Sequence, residues 1–331
     1  MTHDNPDTVL RLQAGVAPAL AMLAGMQLEV FTHLAAGPAG ASELAARLGV
    51  AEDRLSRLLY ALVTCGLLEM RDGGFANTPE AATFLVRGRP EYIGGTHQLL
   101  SQLWHADLQT AQSIRSGAPR ALHDFVTSSD EEMTAMLRGM HQYAMAAGRD
   151  LVKRFDLSGC RSLIDIGGGS GGLAAAVCAA QPGLCATLFE LERTATLARA
   201  VLADTPGGAS VSIETGDILM APPRGRHDVA VLRAVVQVMS PADGARAIAN
   251  AAAAVRPGGT LYIIGAGILD DDRLNPPAAV LFNLTFMNLY RAGGSYTVSE
   301  YAAWLAAARC GEVQRITLPT GSGIIRATRL D

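Results

Sequence analysis

The stretch LIDIGGGSGGLAAAV, residues 163 to 177, decides how the rest of this chain is read. Strand-type residues run into a glycine-rich turn, and an alanine-rich helical pattern follows at once. Gly167, Gly168 and Gly169 let the backbone turn tightly and approach a ligand closely, which a Cβ would prevent. Strand, glycine turn and helix in that order mark a nucleotide-binding segment, although several cofactor classes share it.

Working outward, short apolar runs alternate with helical stretches from about residue 160 onward. SLIDIGGG, ATLFELE, VSIETGD, DVAVLRAVV and GGTLYIIGA are five strand candidates, and GEVQRITLP and GIIRATRL are two more, joined by TGSG. This pattern predicts an α/β domain: a mainly parallel, seven-stranded Rossmann-like sheet with helices on both faces and an antiparallel edge. Ligands of such sheets bind beyond the carboxyl ends of the strands. Asp165, just before the glycines, would repel a pyrophosphate but suits a positively charged amino-acid moiety. It therefore favours S-adenosylmethionine over a dinucleotide. Glu190 ends the next strand candidate, where a carboxylate can accept both ribose hydroxyl protons. Asp217, in TGDIL, ends the third, within reach of an adenine edge.

Residues 1 to about 100 read as helices with short punctuation. ALAMLAGMQLEVFTHLAAG predicts one amphipathic or buried helix, ended by Gly37 and Pro38. GASELAARLG, AEDRLSRLLYALVTCGLLEM and the glycine turn RDGGFANT complete a winged-helix pattern. Its candidate recognition helix, around Arg54 to Thr64, carries only two arginines, and the chain has a formal charge of −4 with no Lys/Arg run, so nucleic acid is not an expected partner. The apolar first helix instead suggests pairing with a second copy of the chain. No basic leader followed by an apolar core is present, and no run of 18 uncharged apolar residues occurs, so membrane insertion is not expected. Five isolated cysteines without metal-ligand spacing suggest small buried side chains, no metal, and a reducing cytoplasm. Residues 101–155 are again helical in pattern and rich in methionine, and residues 156–331 form the nucleotide-binding domain.

Taken together, LIDIGGGSGGLA, LFELE, TGDIL and PGGTLYIIG stand in the order and spacing of the S-adenosylmethionine-dependent O-methyltransferases of the plant caffeate type, which nearly the whole chain resembles. The resemblance implies a class I methyltransferase domain behind an all-helical, winged-helix dimerisation domain over 1–100, with connecting helices lining the acceptor pocket over 101–155. It implies that Asp165, Gly167, Gly168, Gly169, Glu190, Leu191, Gly216 and Asp217 hold the cofactor, with Ile218 beside the adenine. Arg233 falls where the family often has a lysine near the adenine, and Met239 where it often has a tryptophan.

Four residues beyond Arg233 the family usually places a histidine that deprotonates the acceptor; this chain has Gln237. Glutamine cannot take a proton, though its amide can orient a substrate. Three explanations stand side by side. The acceptor needs no deprotonation, as with a thioether acid such as 4-methylthio-2-hydroxybutyrate or an ionised enolate or phenol. Alternatively, the chain is an O-methyltransferase of a phenolic or polyketide compound with a substitute base, His141 or Tyr143, with His97 and His105 behind them. Thirdly, it binds S-adenosylmethionine as a regulator without transferring methyl. The first leads, because only the proton-removal position is changed. Met140 and the segment VLFNLTFMNLYRAGGSYT are expected to wall the acceptor, with Phe282, Phe286 and Met287 giving apolar contact and Asn283, Asn288 and Tyr290 placing polar groups. Arg291 or Arg149 would pair with an acceptor carboxylate.

Overall fold

A computed structural model describes residues 5–122 and 128–331, and the chain divides into two compact units, Met1–Ser101 and Gln102–Asp331. Residues 123–127, within the expected connecting segment, lie outside the described residues.

The first unit has helices Asp7–Ala14, Val16–Gln27, Val30–His33, Ala41–Leu48, Glu52–Thr64 and Pro79–Phe84, and a hairpin of β1 (Leu68–Arg71) and β2 (Gly74–Asn77). It is therefore helical with a two-stranded wing rather than all-helical. The single helix expected over 19–37 is broken after Gln27, because Glu29 takes a left-handed φ of 54°. That turn drives Val30 and Phe31 into a core with Leu44, Leu59 and Leu62, and burial of these side chains outweighs the cost of the strained residue. Asp7–Ala14 buries nothing, and Val9, Leu10, Leu12, Val16 and Leu20 stand exposed. Within Asp7–Gln27 an 18-residue window has a mean hydropathy of 1.4, enough by length and composition alone for a membrane-crossing helix, although Arg11 interrupts it and no run of 18 uncharged apolar residues occurs.

The second unit is built on β3 (Ser162–Ile166), β4 (Cys185–Glu190), β5 (Val211–Thr215), β6 (His227–Arg233) and β7 (Val255–Gly265), which are parallel to one another. Beyond a two-residue parallel pair of β8 (Ile268–Leu269) and β9 (Tyr296–Thr297), β10 (Cys310–Thr317) and β11 (Gly323–Arg329) add an antiparallel edge. The seven-stranded order is β10-β11-β7-β6-β3-β4-β5, with β6 central and β3 beside it. The strand period of two separates the faces. Ile164, Ile166, Ala230 and Leu232 pack in one core, and Leu163, Val229 and Val231 in the other, with Ala144 and Leu151 of helix Asp130–Arg154. That helix lies tight against helix Gly172–Ala180: a Cβ at Gly148 would stand 2.6 Å from the Leu173 carbonyl oxygen. A capping box at Ser129 and Glu132 starts it, and Arg193 ties its Asp130 to helix Glu192–Ala203. All five cysteines are free: Cys178 and Cys310 are buried as expected, Cys65 and Cys160 are half-buried, and Cys185 is exposed, which departs from the expected buried side chain.

Candidate cofactor and acceptor site

The turn after β3 is made by glycines held at φ 65° (Gly167), 59° (Gly169) and 72° (Gly171), a region that side chains with a Cβ rarely enter. Gly168 is glycine for a different reason: a Cβ there would lie 2.4 Å from the Asp165 carboxyl. The Gly167 N–H donates to the Phe189 carbonyl at 2.8 Å, and the Gly169 N–H donates to Glu190 Oε2 at 2.9 Å. Glu190 is buried, and its Oε1 accepts the Leu191 N–H at 2.8 Å. Burial pushes its carboxyl up, with the Leu191 and Gly169 amides pulling it back. The carboxylate thus braces the glycine turn and retains lone pairs for a ligand's hydroxyls.

Asp165 is fully buried, and neither carboxylate oxygen makes a hydrogen bond of ordinary geometry. Burial raises its carboxyl to about 7, against the pull of the Arg233 guanidinium and the Ala174 amide. A buried, unpaired carboxylate facing a glycine cradle fits a cationic ligand group such as the ammonium and sulfonium of S-adenosylmethionine. Further along the strand ends, the Gly216 N–H donates to the Glu190 carbonyl at 3.0 Å, exposed Asp217 accepts the Leu219 N–H at 2.8 Å, and buried Ile218 holds the Asn250 amide through its carbonyl at 2.6 Å. Leu191 is exposed beside them.

At the end of β6 the strand alternation carries Arg233 to the face of Val229 and Val231, which is also the face of Asp165, covered by helix Asp130–Arg154. Burial lowers the guanidinium, while Asp165 and Tyr143 of that helix act on it in the opposite sense. Next, Ala234 sits at φ 58°, its N–H donating to the Ile264 carbonyl at 2.8 Å. Such conformations cost about 1–3 kcal/mol and gather at functional sites. The kink turns Val235 beneath the cofactor turn, where a Cβ on Gly167 would meet its Cγ2 at 2.7 Å, and leads into the 3-10 turn Val236–Val238. Gln237 is thereby buried, 9% exposed, and its side-chain amide makes no hydrogen bond among the described residues.

The expected acceptor wall meets Gln237 around two glycines. A Cβ on Gly267 would lie 3.1 Å from the Phe286 ring and 3.2 Å from Gln237 Cβ; one on Gly293 would lie 2.7 Å from the Gln237 carbonyl oxygen and 2.9 Å from Tyr290 Cβ. Phe282 stacks edge-on against Phe286 at 4.9 Å, and burial pushes the Tyr290 phenol up to about 12. Asn283 accepts the Ser295 N–H at 2.8 Å, and Asn288 donates to Thr110 Oγ1 at 2.8 Å, so both are engaged inside the protein. Met140, Tyr143 and Met287 are half-buried. His141, by contrast, has both ring nitrogens occupied, Nδ1 by Ser170 Oγ at 3.0 Å and Nε2 by Thr205 Oγ1 at 3.3 Å, and burial lowers its pKa. It packs behind the cofactor turn, against Gly172. The sequence reading overlooked Gly265, Gly267 and Gly293; the only trace of them in the sequence is the pairs GAG and AGGS at strand and helix ends.

A central parallel sheet, a glycine turn braced by an acidic strand end and an unpaired buried carboxylate define an S-adenosylmethionine-dependent methyltransferase. More narrowly, the chain belongs to the O-methyltransferase family: the profile of the O-methyltransferase domain matches residues 108–309 and that of the O-methyltransferase dimerisation domain matches residues 10–87. It is 30% identical to the 3-hydroxy-5-methyl-1-naphthoate 3-O-methyltransferase of Streptomyces sahachiroi, over 98% of this chain and 95% of that one. It is 29% identical to the N,N-dimethyltransferase OxyT of Streptomyces rimosus, over 97% and 96% of the two chains. Its structure is similar to that of human N-acetylserotonin methyltransferase, solved in complex with SAM, with a TM-score of 0.85 and 100% of both chains covered, at 21% identity. Of the three explanations for Gln237, the nonenzymatic regulator gives way to an enzyme.

Proposed function

We propose that this enzyme methylates an oxygen of a small aromatic or polyketide-type molecule that reaches the site already ionised, so that position 237 needs no base. The observation that carries this reading is Gln237 itself: it is buried, two residues beyond the Val235 that underlies the cofactor turn, it shares the surroundings of Gly267 with the Phe286 ring, and its amide has no hydrogen-bond partner among the described residues where a proton acceptor would stand. The family and the naphthoate-methylating relative favour oxygen as the accepting atom, so the thioether acid suggested by Gln237 alone is set aside. Nitrogen is the second atom to test, because OxyT is named for N-methylation.

In this reading Asp165 meets the cofactor's ammonium, Glu190 its ribose hydroxyls, and Asp217 and Ile218 its adenine. When bound, S-adenosylmethionine supplies a methyl group activated by its sulfonium charge. The chain's remaining tasks are to align the acceptor oxygen and to exclude water, which together supply much of the acceleration such a reaction needs. Labelled S-adenosylmethionine offered with hydroxynaphthoates, anilines and 4-methylthio-2-hydroxybutyrate tests the assignment. Label in an aryl ether supports it, and label only in the thioether or the amine overturns it.

His141 is structural in this account. His141→Asn should leave the shape of the pH–rate profile unchanged and lower stability by about 1 kcal/mol, the net worth of a typical hydrogen bond. Loss of a titrating limb in that variant would return the histidine to the chemistry. The apolar N-terminal helices serve a second copy of the chain: sedimentation should give a dimer, and the double change Leu12→Glu, Leu20→Glu should shift it to monomer. An unchanged dimer would place the interface elsewhere. The free cysteines suit a reducing compartment, and the cytoplasm is the proposed location.

A further inference from the structure

The path of helix Asp130–Arg154 can be followed from the glycines it touches. Its Gly148 lies against Leu173 and Ala176 of helix Gly172–Ala180; nearer its start, a Cβ on Gly172 would stand 3.0 Å from His141 Nδ1, and one on Gly169 3.4 Å from Leu137 Cδ2. Read toward its start, the helix thus rises along its neighbour and onto the cofactor turn. Two turns beyond Leu137, about 10 Å by the ordinary helical rise, Asp130 reaches the first turn of helix Glu192–Ala203. The glycine turn follows β3 and helix Glu192–Ala203 follows β4, so these two turns of helix bridge the carboxyl ends of two paired strands, across the place where Glu190 stands. Met133 and Leu137, four residues apart and both buried, form the inner side of the bridge.

Arg193 holds the far end of that bridge. Its Nε donates to Asp130 Oδ1 at 2.9 Å, its Nη2 stands 2.8 Å from the same oxygen, and Nη2 also donates to the Ser128 carbonyl. On helical grounds the position is a poor one for arginine. It lies in the first turn of its own helix, at the positive end of the dipole, where a cation is disfavoured, whereas Asp130 at the start of the facing helix is well placed. What the arginine gains there is the clip: one guanidinium spans to a carboxylate and a carbonyl and fixes where the facing helix begins. We infer that Arg193 is a positioning residue which, through Asp130 and Ser128, holds the first turns of helix Asp130–Arg154 over the bound nucleotide and so sets how long S-adenosylmethionine, and S-adenosylhomocysteine after transfer, remain bound. The inference rests on the placement of the cofactor at Gly169 and Glu190 proposed above. Departure of the nucleotide lifts the start of the helix, and lifting it breaks the clip. Both partners are open to solvent, so the hold is modest and is screened by salt.

The test follows release of labelled S-adenosylhomocysteine from the full-length enzyme, chased with excess unlabelled compound at about 0.01 M and about 1 M salt, where charges are felt over about 30 Å and about 3 Å. At low salt R193M should release about fivefold faster than wild type, the scale of an exposed ion pair strengthened by a charge-assisted hydrogen bond. D130N keeps the Ser128 contact and should release about two- to threefold faster. The double variant should match R193M, because both changes break one clip. At high salt the wild type should approach R193M, whose own rate barely moves, a response that a general loosening of the fold would not give. Equal release from wild type and R193M at low salt, additive effects in the double variant, or a full salt response kept by R193M overturns the inference. Glu190→Ala, measured alongside, separates this inference from the reading beneath it. Fast release from Glu190→Ala with R193M like wild type removes the clip alone, whereas release unchanged in Glu190→Ala removes the cofactor placement and the inference with it.

Discussion

Glu190→Ala should weaken S-adenosylmethionine binding by about 100-fold, the equivalent of roughly 2–3 kcal/mol from two hydrogen bonds to an ionised group. The carboxylate does two things at once. Its Oε2 accepts the Gly169 N–H at 2.9 Å and so braces the turn that must cradle the cofactor, while its burial at the end of β4 sets it at the ribose position. Alanine leaves the Gly169 amide without that partner and removes the acceptors for the ligand's hydroxyls. Glu190→Gln should lose less, because an amide oxygen can still accept from Gly169. Calorimetric titration measures both, and affinity unchanged in the alanine variant would remove Glu190 from the cofactor site.

Asp165→Asn should produce a pH-dependent gain in stability together with a loss of cofactor. The folded carboxyl, raised to about 7 from an ordinary 3.8, keeps a proton that the unfolded chain has already released. Its contribution to stability is therefore fully present below the unfolded value and is lost as pH rises through the folded one. The asparagine variant lacks this titration. The gap in melting temperature between variant and wild type, measured without cofactor, should widen as pH rises from about 4 to about 7 and stay level above that. Over the same range the variant should bind S-adenosylmethionine at least about tenfold more weakly, since a cation loses a buried counter-charge. A constant gap would mean that Asp165 is ionised throughout.

Much of this was legible in the sequence, and for physical reasons. The seven strands of the large sheet announce themselves through short apolar runs bounded by turns, and Gly167, Gly169 and Glu190 through a local motif whose parts are close in the chain. Features set by long-range packing were not legible. The break at Glu29 follows from where Val30 and Phe31 must be buried, which the helical period of 19–37 does not encode. The apparent freedom of His141 disappears only once Ser170 and Thr205, far off in the chain, are folded against its two nitrogens. Gly265 looks like an ordinary strand-end glycine until the parallel pairing of Arg233 with Ile264 brings it beside Gln237. The departure at position 237 was plain in the sequence; the glycines that surround it in the fold were not.

The central claim is that the enzyme supplies no base and methylates an oxygen that is already ionised. Single-turnover rates, measured across pH with a series of phenolic acceptors of graded acidity, test it most directly. The account predicts that the midpoint of each pH–rate profile moves with the acceptor's own pKa, and that Gln237→His adds a new limb near neutrality that is common to all acceptors. A single midpoint in the wild-type enzyme, the same for every acceptor, would mean that a residue of the protein removes the proton, and would contradict the account.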